Sequence, residues 1–357
     1  MIINIKNNIK SYFAIGLMIT AFFAFISCDS DPIFSAIEDE VALDDPNIEG
    51  NVYSLVLVGD ESNGTLFVQN GNLYSKNVIE ERGWVEYSAP ASNITYLASD
   101  GENLYALSKE DSHDYGTLYY QENATGNWTK VTTVSGDGDV TTLDDDVYNV
   151  FDNKETGSTN RNAYITIEDP DDIYDYAVYK ISVSGSTVTI TRQTDDTYFV
   201  ATYGDRIVSA ARLGTDDYFY DSIGFCAADP DNDGTNTILY KVKDDDTIYY
   251  STDGSNWESG IEATDVDADA DEINSILAYG TDLYFATDYG LGVATIDYSD
   301  GSLSSSTISS QASTVFDSEG LYGLWEYADT LYASTINDDS TENNYLWGCY
   351  DDEWNAE

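Results

Sequence analysis

From Asn51 onwards the chain alternates short apolar runs with clusters of Gly, Asn and Asp. Val52-Tyr53-Ser54-Leu55-Val56-Leu57-Val58, Thr65-Leu66-Phe67-Val68, Asn72-Leu73-Tyr74-Ser75 and Gly83-Trp84-Val85-Glu86-Tyr87 follow one another, each bounded by turn residues. Short apolar runs closed off in this way predict strands joined by tight turns. The four-part phrase returns as Ile94-Thr95-Tyr96-Leu97-Ala98, Asn103-Leu104-Tyr105-Ala106-Leu107, Thr117-Leu118-Tyr119-Tyr120-Gln121 and Asn127-Trp128-Thr129-Lys130-Val131. Looser copies start near Val140, Tyr198, Ile273 and Leu321. Within them Leu73-Tyr74, Leu104-Tyr105, Leu118-Tyr119, Ile248-Tyr249, Leu283-Tyr284 and Leu331-Tyr332 recur after a turn, and Trp84, Trp128, Trp257 and Trp354 open the expected last strands.

Self-similarity at a period of roughly 40–50 residues, with four strands per unit, predicts an all-β chain folded as a β-propeller, whose small sheets bury their faces only against their neighbours. The expected first strands give six blades over residues 51–357, with seven as the alternative because the interval from 198 to 273 is long enough to hold another. Tyr249-Tyr250-Ser251-Thr252-Asp253-Gly254-Ser255-Asn256-Trp257 resembles the Asp-box of sialidase-type and related propellers. The resemblance implies that Ser251, Asp253, Gly254 and Trp257 fold the turn between the third and fourth strands of a blade, on the face away from that family's active site. This copy has one residue fewer between Gly and Trp than the fullest form, and Gln121 to Trp128 is a degenerate second copy lacking the Asp.

The first residues follow a different pattern. Lys6 and Lys10 precede an apolar run from Tyr12 to Ile26 that ends in Phe25-Ile26-Ser27-Cys28, which reads as a secretory signal peptide over residues 1–27. The segment resembles the bacterial lipoprotein box, although Phe25 stands where that family usually has Leu. The resemblance implies cleavage before Cys28, lipidation of Cys28 with acyl chains such as palmitate, and tethering of the mature chain to a membrane. Each buried methylene of such a chain contributes about 0.8 kcal/mol to anchoring. Residues 28–50 hold the lipidated Cys and an acidic spacer, in which Ile33, Phe34, Ile37, Val41 and Leu43 are spaced for a short amphipathic helix. The expected location is the cell envelope, with the outer membrane or cell surface favoured over the inner membrane.

Charge narrows the partners. The balance is 14 Lys+Arg against 66 Asp+Glu, a formal net charge of −52. Such a field repels nucleic acid and polyanionic glycans. The chain is nonetheless no disordered acidic tail, because 42% of it is hydrophobic and it carries 30 Tyr and 6 Trp. Besides Cys28 only Cys226 and Cys349 occur, both in apolar runs that suggest buried thiols in preference to a disulfide.

The best candidate for chemistry is Asp229-Pro230-Asp231-Asn232-Asp233-Gly234-Thr235. Carboxylates at alternating positions followed by Gly can wrap a hard cation, so Asp229, Asp231, Asp233 and Thr235 are the expected calcium ligands. The spacing resembles the opening of an EF-hand loop and the hairpin calcium loops of integrin-like propellers. Thr237 and Tyr240 stand where those families have acidic ligands, which implies weak affinity. Asp265-Val266-Asp267-Ala268-Asp269-Ala270-Asp271, Asp144-Asp145-Asp146 and Asp244-Asp245-Asp246 read as solvated loops. No catalytic residue is assigned: His113 is the single histidine and sits in a polar loop, and Arg82, Arg161, Arg192, Arg206 and Arg212 do not form the sialidase arginine motif. The expected function is a non-catalytic, lipid-anchored binding or scaffold protein with a protein or glycan ligand. The alternative is a secreted carbohydrate-active enzyme of the glycoside hydrolase or sialidase type, using a carboxylate pair.

Overall fold

Leu55-Val56-Leu57-Val58 is a continuous apolar run, and the structure shows why a strand of that kind is needed. Leu55 and Leu57 pack with Leu66, Val68, Tyr332 and Leu346 on one face. Val56 and Val58 pack with Phe67, Leu97, Leu104 and Ala106 on the other. Successive side chains of a strand point to opposite faces, so this strand is buried on both sides, between the last sheet of the fold and the second. A computed structural model describes residues 48–357 apart from 82, 111–112, 114, 137–139, 155–160, 169–175, 194–198, 204–205, 212–221, 229–237, 244–245, 254–255, 305–308, 311–315, 317–319, 336–343 and 352.

Among the described residues the strands form six four-stranded antiparallel runs in chain order. The first is β1 (Leu55–Val58), β2 (Thr65–Gln69), β3 (Leu73–Asn77) and β4 (Val85–Glu86). The second is β5 (Ile94–Ser99), β6 (Leu104–Lys109), β7 (Gly116–Gln121) and β8 (Thr129–Lys130). The third is β9 (Val147–Lys154), β10 (Arg161–Glu168), β11 (Tyr176–Ser184) and β12 (Thr187–Arg192). A two-stranded hairpin follows, β13 (Phe199–Tyr203) with β14 (Arg206–Ala211), lying against β9 on one side and β15 on the other. The fourth run is β15 (Ser222–Ala228), β16 (Ile238–Lys243), β17 (Thr247–Ser251) and β18 (Glu258–Glu262). The fifth is β19 (Ile273–Tyr279), β20 (Asp282–Thr287), β21 (Gly290–Thr295) and β22 (Ser309–Ser310). The sixth is β23 (Leu321–Tyr327), β24 (Thr330–Thr335), β25 (Leu346–Tyr350) and β26 (Glu353–Ala356).

Sheets of four strands in up-and-down order, each packed on the next, are a β-propeller. The interval from 198 to 273 holds both the hairpin and a complete sheet, so the hairpin is additional to the six four-stranded runs. The second and third runs are joined by a single pair, Gly116 opposite Val147. A Cβ at Gly116 would collide with the Ser108 carbonyl oxygen, so the close approach of β7 to β6 at this point requires glycine. In the second, fourth, fifth and sixth runs the innermost strand carries a bulge two residues from its start, at Ile94/Tyr96, Ser222/Gly224, Ile273/Ser275 and Leu321/Gly323. A bulge sharpens the local twist, and its repetition bends these strands alike.

The sixth run packs back on the first. Ile48 is fully buried, donates its N–H to the Glu357 carbonyl and accepts from Leu346 N. Lys76 Nζ lies 2.7 Å from Glu357 Oε2, and neither side chain has any exposure. Trp84 Nε1 donates to the same Oε2 at 2.5 Å, and Tyr350 OH donates to Oε1 at 2.6 Å. Lys76 also donates to the Tyr350 oxygen at 2.8 Å and to the Glu81 carbonyl at 3.2 Å. The rings of Trp84, Tyr332 and Tyr350 stand 5.0, 5.1 and 5.5 Å from its ammonium. Aromatic faces attract a desolvated cation, so first-sheet and last-sheet residues share one satisfied charge cage.

Removing one partner should leave the other charge buried and uncompensated. We expect Lys76→Met and Glu357→Gln each to destabilise the fold by about 3–5 kcal/mol, and the pair Lys76→Met with Glu357→Leu to recover much of that loss. Urea unfolding followed by tryptophan fluorescence measures all three. A loss below about 1 kcal/mol for either single variant contradicts this account of the closure.

Candidate functional site

The innermost strands are stitched to one another by single polar bonds. Leu97 N donates to Ser54 Oγ at 2.8 Å, Ser99 N to Asp152 Oδ2 at 2.7 Å, Asn274 Nδ2 to the Leu321 carbonyl at 2.8 Å, and Tyr327 OH to the Leu55 carbonyl at 2.8 Å. These bonds tie β1 to β5, β5 to β9, β19 to β23, and β23 back to β1. The groups concentrate where β5, β9 and β23 end. There Asp152 of β9 and Arg161 of β10 have side chains only 9% and 8% exposed, with Oδ1 and a guanidinium nitrogen 4.0 Å apart. The Arg161 guanidinium lies over the Tyr327 ring, 4.8 Å from its centroid. Arg161 belongs to the third run and Tyr327 to the sixth. On one side the first and second runs stand between them, so this contact crosses the propeller axis.

Burial pushes the Asp152 carboxyl up to about 6, against the opposing pull of Arg161 and of the Ser99 N–H, while Asp100 nearby adds to the rise. Burial also works against the Arg161 charge, but Tyr327, Asp152, Glu61 and Glu326 hold the guanidinium protonated more firmly than usual. Asp100 itself is saturated. Its Oδ1 accepts from Glu102 N and Asn103 N, and its Oδ2 from Asn103 Nδ2 and Tyr105 OH. Burial, with Asp100 second, raises the Tyr105 hydroxyl well above the normal phenol range.

The Asp-box residues fall in the turn from β17 to β18. Ser251 Oγ donates to Asp253 Oδ1 at 3.1 Å, and Asp253 accepts from Asn256 N and Asn256 Nδ2, both at 2.8 Å. Trp257 starts the return strand with its ring 4.1 Å from Lys241 Nζ. Gly254 lies outside the described residues, as do the expected calcium ligands Asp229, Asp231, Asp233 and Thr235, and Cys28 with residues 1–47. Among the described residues no group of three or more His, Cys, Asp or Glu could hold a metal ion. The other acidic runs serve as turns: Asp267 Oδ1 accepts from Asp269 N, Asp265 Oδ2 from Glu262 N, and Asp144 pairs with Lys130 at 2.8 Å. His113 sits beside Glu110 in an exposed loop. Cys226 and Cys349 form no disulfide and are half-buried rather than wholly enclosed. Burial pushes the Cys226 thiol up to about 12.

Comparison with known proteins bears on the leader and the first sheets together. Residues 4–160 match the TP013X lipoprotein family. Over that stretch the chain is similar to lipoproteins. It is also 40% identical over 96 residues, 25% of its length, to an uncharacterized lipoprotein of Treponema pallidum (strain Nichols), and spans 22% of that relative's length. Among solved structures it is similar to the β-propeller domain of Cps50 (Swd1) from Myceliophteria thermophila, at 9% identity and a TM-score of 0.48, covering 88% of this chain and 99% of that one. The β-propeller domain of the Trilobed protease from Pyrococcus furiosus follows at 11% identity and a TM-score of 0.45, over 85% and 97%. The propeller assignment itself rests on sheet order and packing.

Sequence reasoning named Arg161 only among the five arginines and passed over Asp152. The available signal was a carboxylate inside Val147-Tyr148-Asn149-Val150-Phe151-Asp152, an otherwise strand-forming run.

A carboxyl raised from 3.8 to about 6 in the fold contributes stability that is full below about pH 3.8 and lost as pH rises through about 6. Against Asp152→Asn, wild type should therefore lose on the order of 2–3 kcal/mol between pH 4 and pH 7. Paired urea titrations across that range isolate the difference, since the remaining carboxylates are common to both proteins. Parallel curves would mean that Asp152 titrates as an ordinary surface acid.

Proposed function

We propose that this chain is an envelope lipoprotein, tethered through acylated Cys28, whose propeller serves as a non-catalytic binding or scaffold module. The observation that carries this reading is the extent of the lipoprotein match, residues 4–160, which takes in the leader and the first two sheets as one stretch. Lys6, Lys10 and the apolar run up to Ser27-Cys28 supply the chemistry of export and lipidation. A cage at the closure and single bonds between inner strands commit Lys76, Glu357, Ser54, Asn274 and Tyr327 to structure, which suits a scaffold. The carbohydrate-active alternative draws on Asp152 as a buried acid, whose neighbour Asp100 has both oxygens occupied by Asn103, Tyr105 and backbone N–H groups. The outer membrane or cell surface is the favoured location, and acyl chains are the membrane contact.

Metabolic labelling with a radioactive palmitate tests the anchor. Wild type should incorporate label and partition into detergent, whereas Cys28→Ser should lose the label and appear in the soluble fraction. Label retained by Cys28→Ser would end the lipoprotein reading.

The reading includes a weak calcium site at Asp229, Asp231, Asp233 and Thr235, supported by their spacing. A ligand that binds only the folded form raises its melting point by mass action. Millimolar calcium should raise the unfolding midpoint above that in EDTA by several degrees, Asp231→Ala should abolish the rise, and magnesium at equal ionic strength should not reproduce it. Equal shifts with both cations would mean screening of the acidic surface alone.

A further inference from the structure

Lys76 and Glu357 meet the requirements of a reaction as well as those of an ion pair. Nζ stands 2.7 Å from Oε2 with neither side chain exposed, so the carboxyl carbon, one bond beyond Oε2, lies beside a primary amine in a place shielded from solvent. Tyr350 joins the two groups a second time. Its oxygen accepts from Lys76 Nζ at 2.8 Å, and its hydroxyl donates to Glu357 Oε1 at 2.6 Å. Trp84 Nε1 donates to the other carboxyl oxygen, Oε2, at 2.5 Å. A nucleophile, an electrophilic carbon, a hydroxyl bridging them and an N–H on the remaining oxygen are thus assembled in one cage. Burial, with Glu357 second, raises the Tyr350 hydroxyl far above the ordinary phenol range, so it keeps its proton and passes one on only as it receives another.

Hydration ordinarily keeps an ammonium and a carboxylate from condensing, because water stabilises both ions. Folding has already stripped these two of water, and holding them in contact turns a bimolecular encounter into a unimolecular step. Condensation removes both buried charges at once. Lys130 and Asp144 show the contrast: they approach to 2.8 Å, but their side chains are 37% and 71% exposed, so both ions stay hydrated. Arg161 beside Asp152 offers a guanidinium, which keeps its proton and is no nucleophile.

We propose that Lys76 and Glu357 condense in the folded ring to an amide between Nζ and the side-chain carboxyl carbon, joining the first sheet covalently to the end of the last. Tyr350 gives its proton to Oε1 and takes one from the ammonium, which leaves a neutral amine beside a neutral carboxyl group. The nitrogen lone pair attacks the carboxyl carbon, the N–C bond forms, and negative charge gathers on Oε2, where the Trp84 N–H meets it. A second proton then moves from the nitrogen through Tyr350 to Oε1, and the carbon–Oε1 bond breaks with its electron pair leaving on the oxygen as water. Of the three ammonium protons, one stays on the amide and two depart in that water. Nothing is oxidised or reduced, and no co-reactant is consumed.

The test is mass spectrometry of the full-length protein, denatured and digested with trypsin and chymotrypsin together. Cleavage after Tyr74, Arg82 and Trp354 should release the peptide Ser75–Arg82 joined to Asn355–Glu357, lighter than the sum of the two by one water, with the bond after Lys76 uncut. Tyr350→Phe keeps the ring but loses the relay, and should lower the yield of joined peptides at least tenfold. Should Tyr350→Phe lose the wild-type far-ultraviolet circular dichroism, Trp84→Phe, which lacks the N–H on Oε2, becomes the deciding variant with the same expected loss. Complete cleavage after Lys76 in the wild type, joined peptides from a chain held in urea throughout, or a yield unchanged in the folded variant overturns the proposal. In that event the ion pair still closes the ring, and palmitate labelling at Cys28 is unaffected, so the lipoprotein reading stands or falls separately.

Discussion

A ring of sheets has no sequence-adjacent partner for its last member, and here that gap is bridged by the buried ion pair of Lys76 and Glu357. Two charges without solvent exposure cost several kcal/mol each to desolvate, and their attraction offsets this only when every remaining proton and lone pair is met. The cage satisfies that condition unusually fully. Glu357 receives Trp84, Tyr350 and Lys76, and Lys76 has the Glu81 carbonyl, the Tyr350 oxygen and three aromatic faces. Around it Ile48, Val78, Trp84, Tyr332 and Leu346 form one apolar cluster. The pair therefore specifies which edge meets which, while the apolar cluster supplies the bulk of the adhesion.

The axis follows a different logic. Closure makes the innermost strands converge, and side chains from non-neighbouring sheets then meet, as Arg161 meets Tyr327. In a chain with so few cations, a buried arginine among Asp152, Glu61 and Glu326 relieves repulsion that would otherwise open the centre. Arg161 stands 4.0 Å from the Asp152 carboxylate, whereas Lys76 and Glu357 close to 2.7 Å, so the two buried charge groups of this domain differ in how tightly they are paired.

Much of the fold was legible in the sequence, because a strand buried on both faces and bounded by turns is a local signal. Expected starts at 94, 273 and 321 coincide with β5, β19 and β23, while that near 52 precedes β1 and that near 140 precedes β9 by a few residues. The sheet starting at β15 has no expected start of its own, although the interval from 198 to 273 is long enough to hold it and the turn at Ser251 and Asp253 lies within it. Its first strand is broken by Gly224 at a bulge, and the hairpin before it compresses two packing units into one interval. The turn built on Ser251 and Asp253 stood out because its bonds are local in sequence. The cage and the axis did not stand out, because Lys76 and Glu357 are 281 positions apart and Arg161 meets Tyr327 only after the ring has closed. No periodicity encodes a contact made across a ring.

That separation also governs how the molecule is made. The closing contacts cannot form until nearly the whole domain has been synthesised, and the loop they close is about as long as the domain itself. The entropic cost of such a closure grows only slowly with length, but contacts of this span delay the rate at which a β-rich chain reaches its native state. Until then the first sheet holds Leu55, Leu57, Leu66 and Val68 without the neighbour that covers them in the finished ring. The finished ring is thus locked by the residues that are made last.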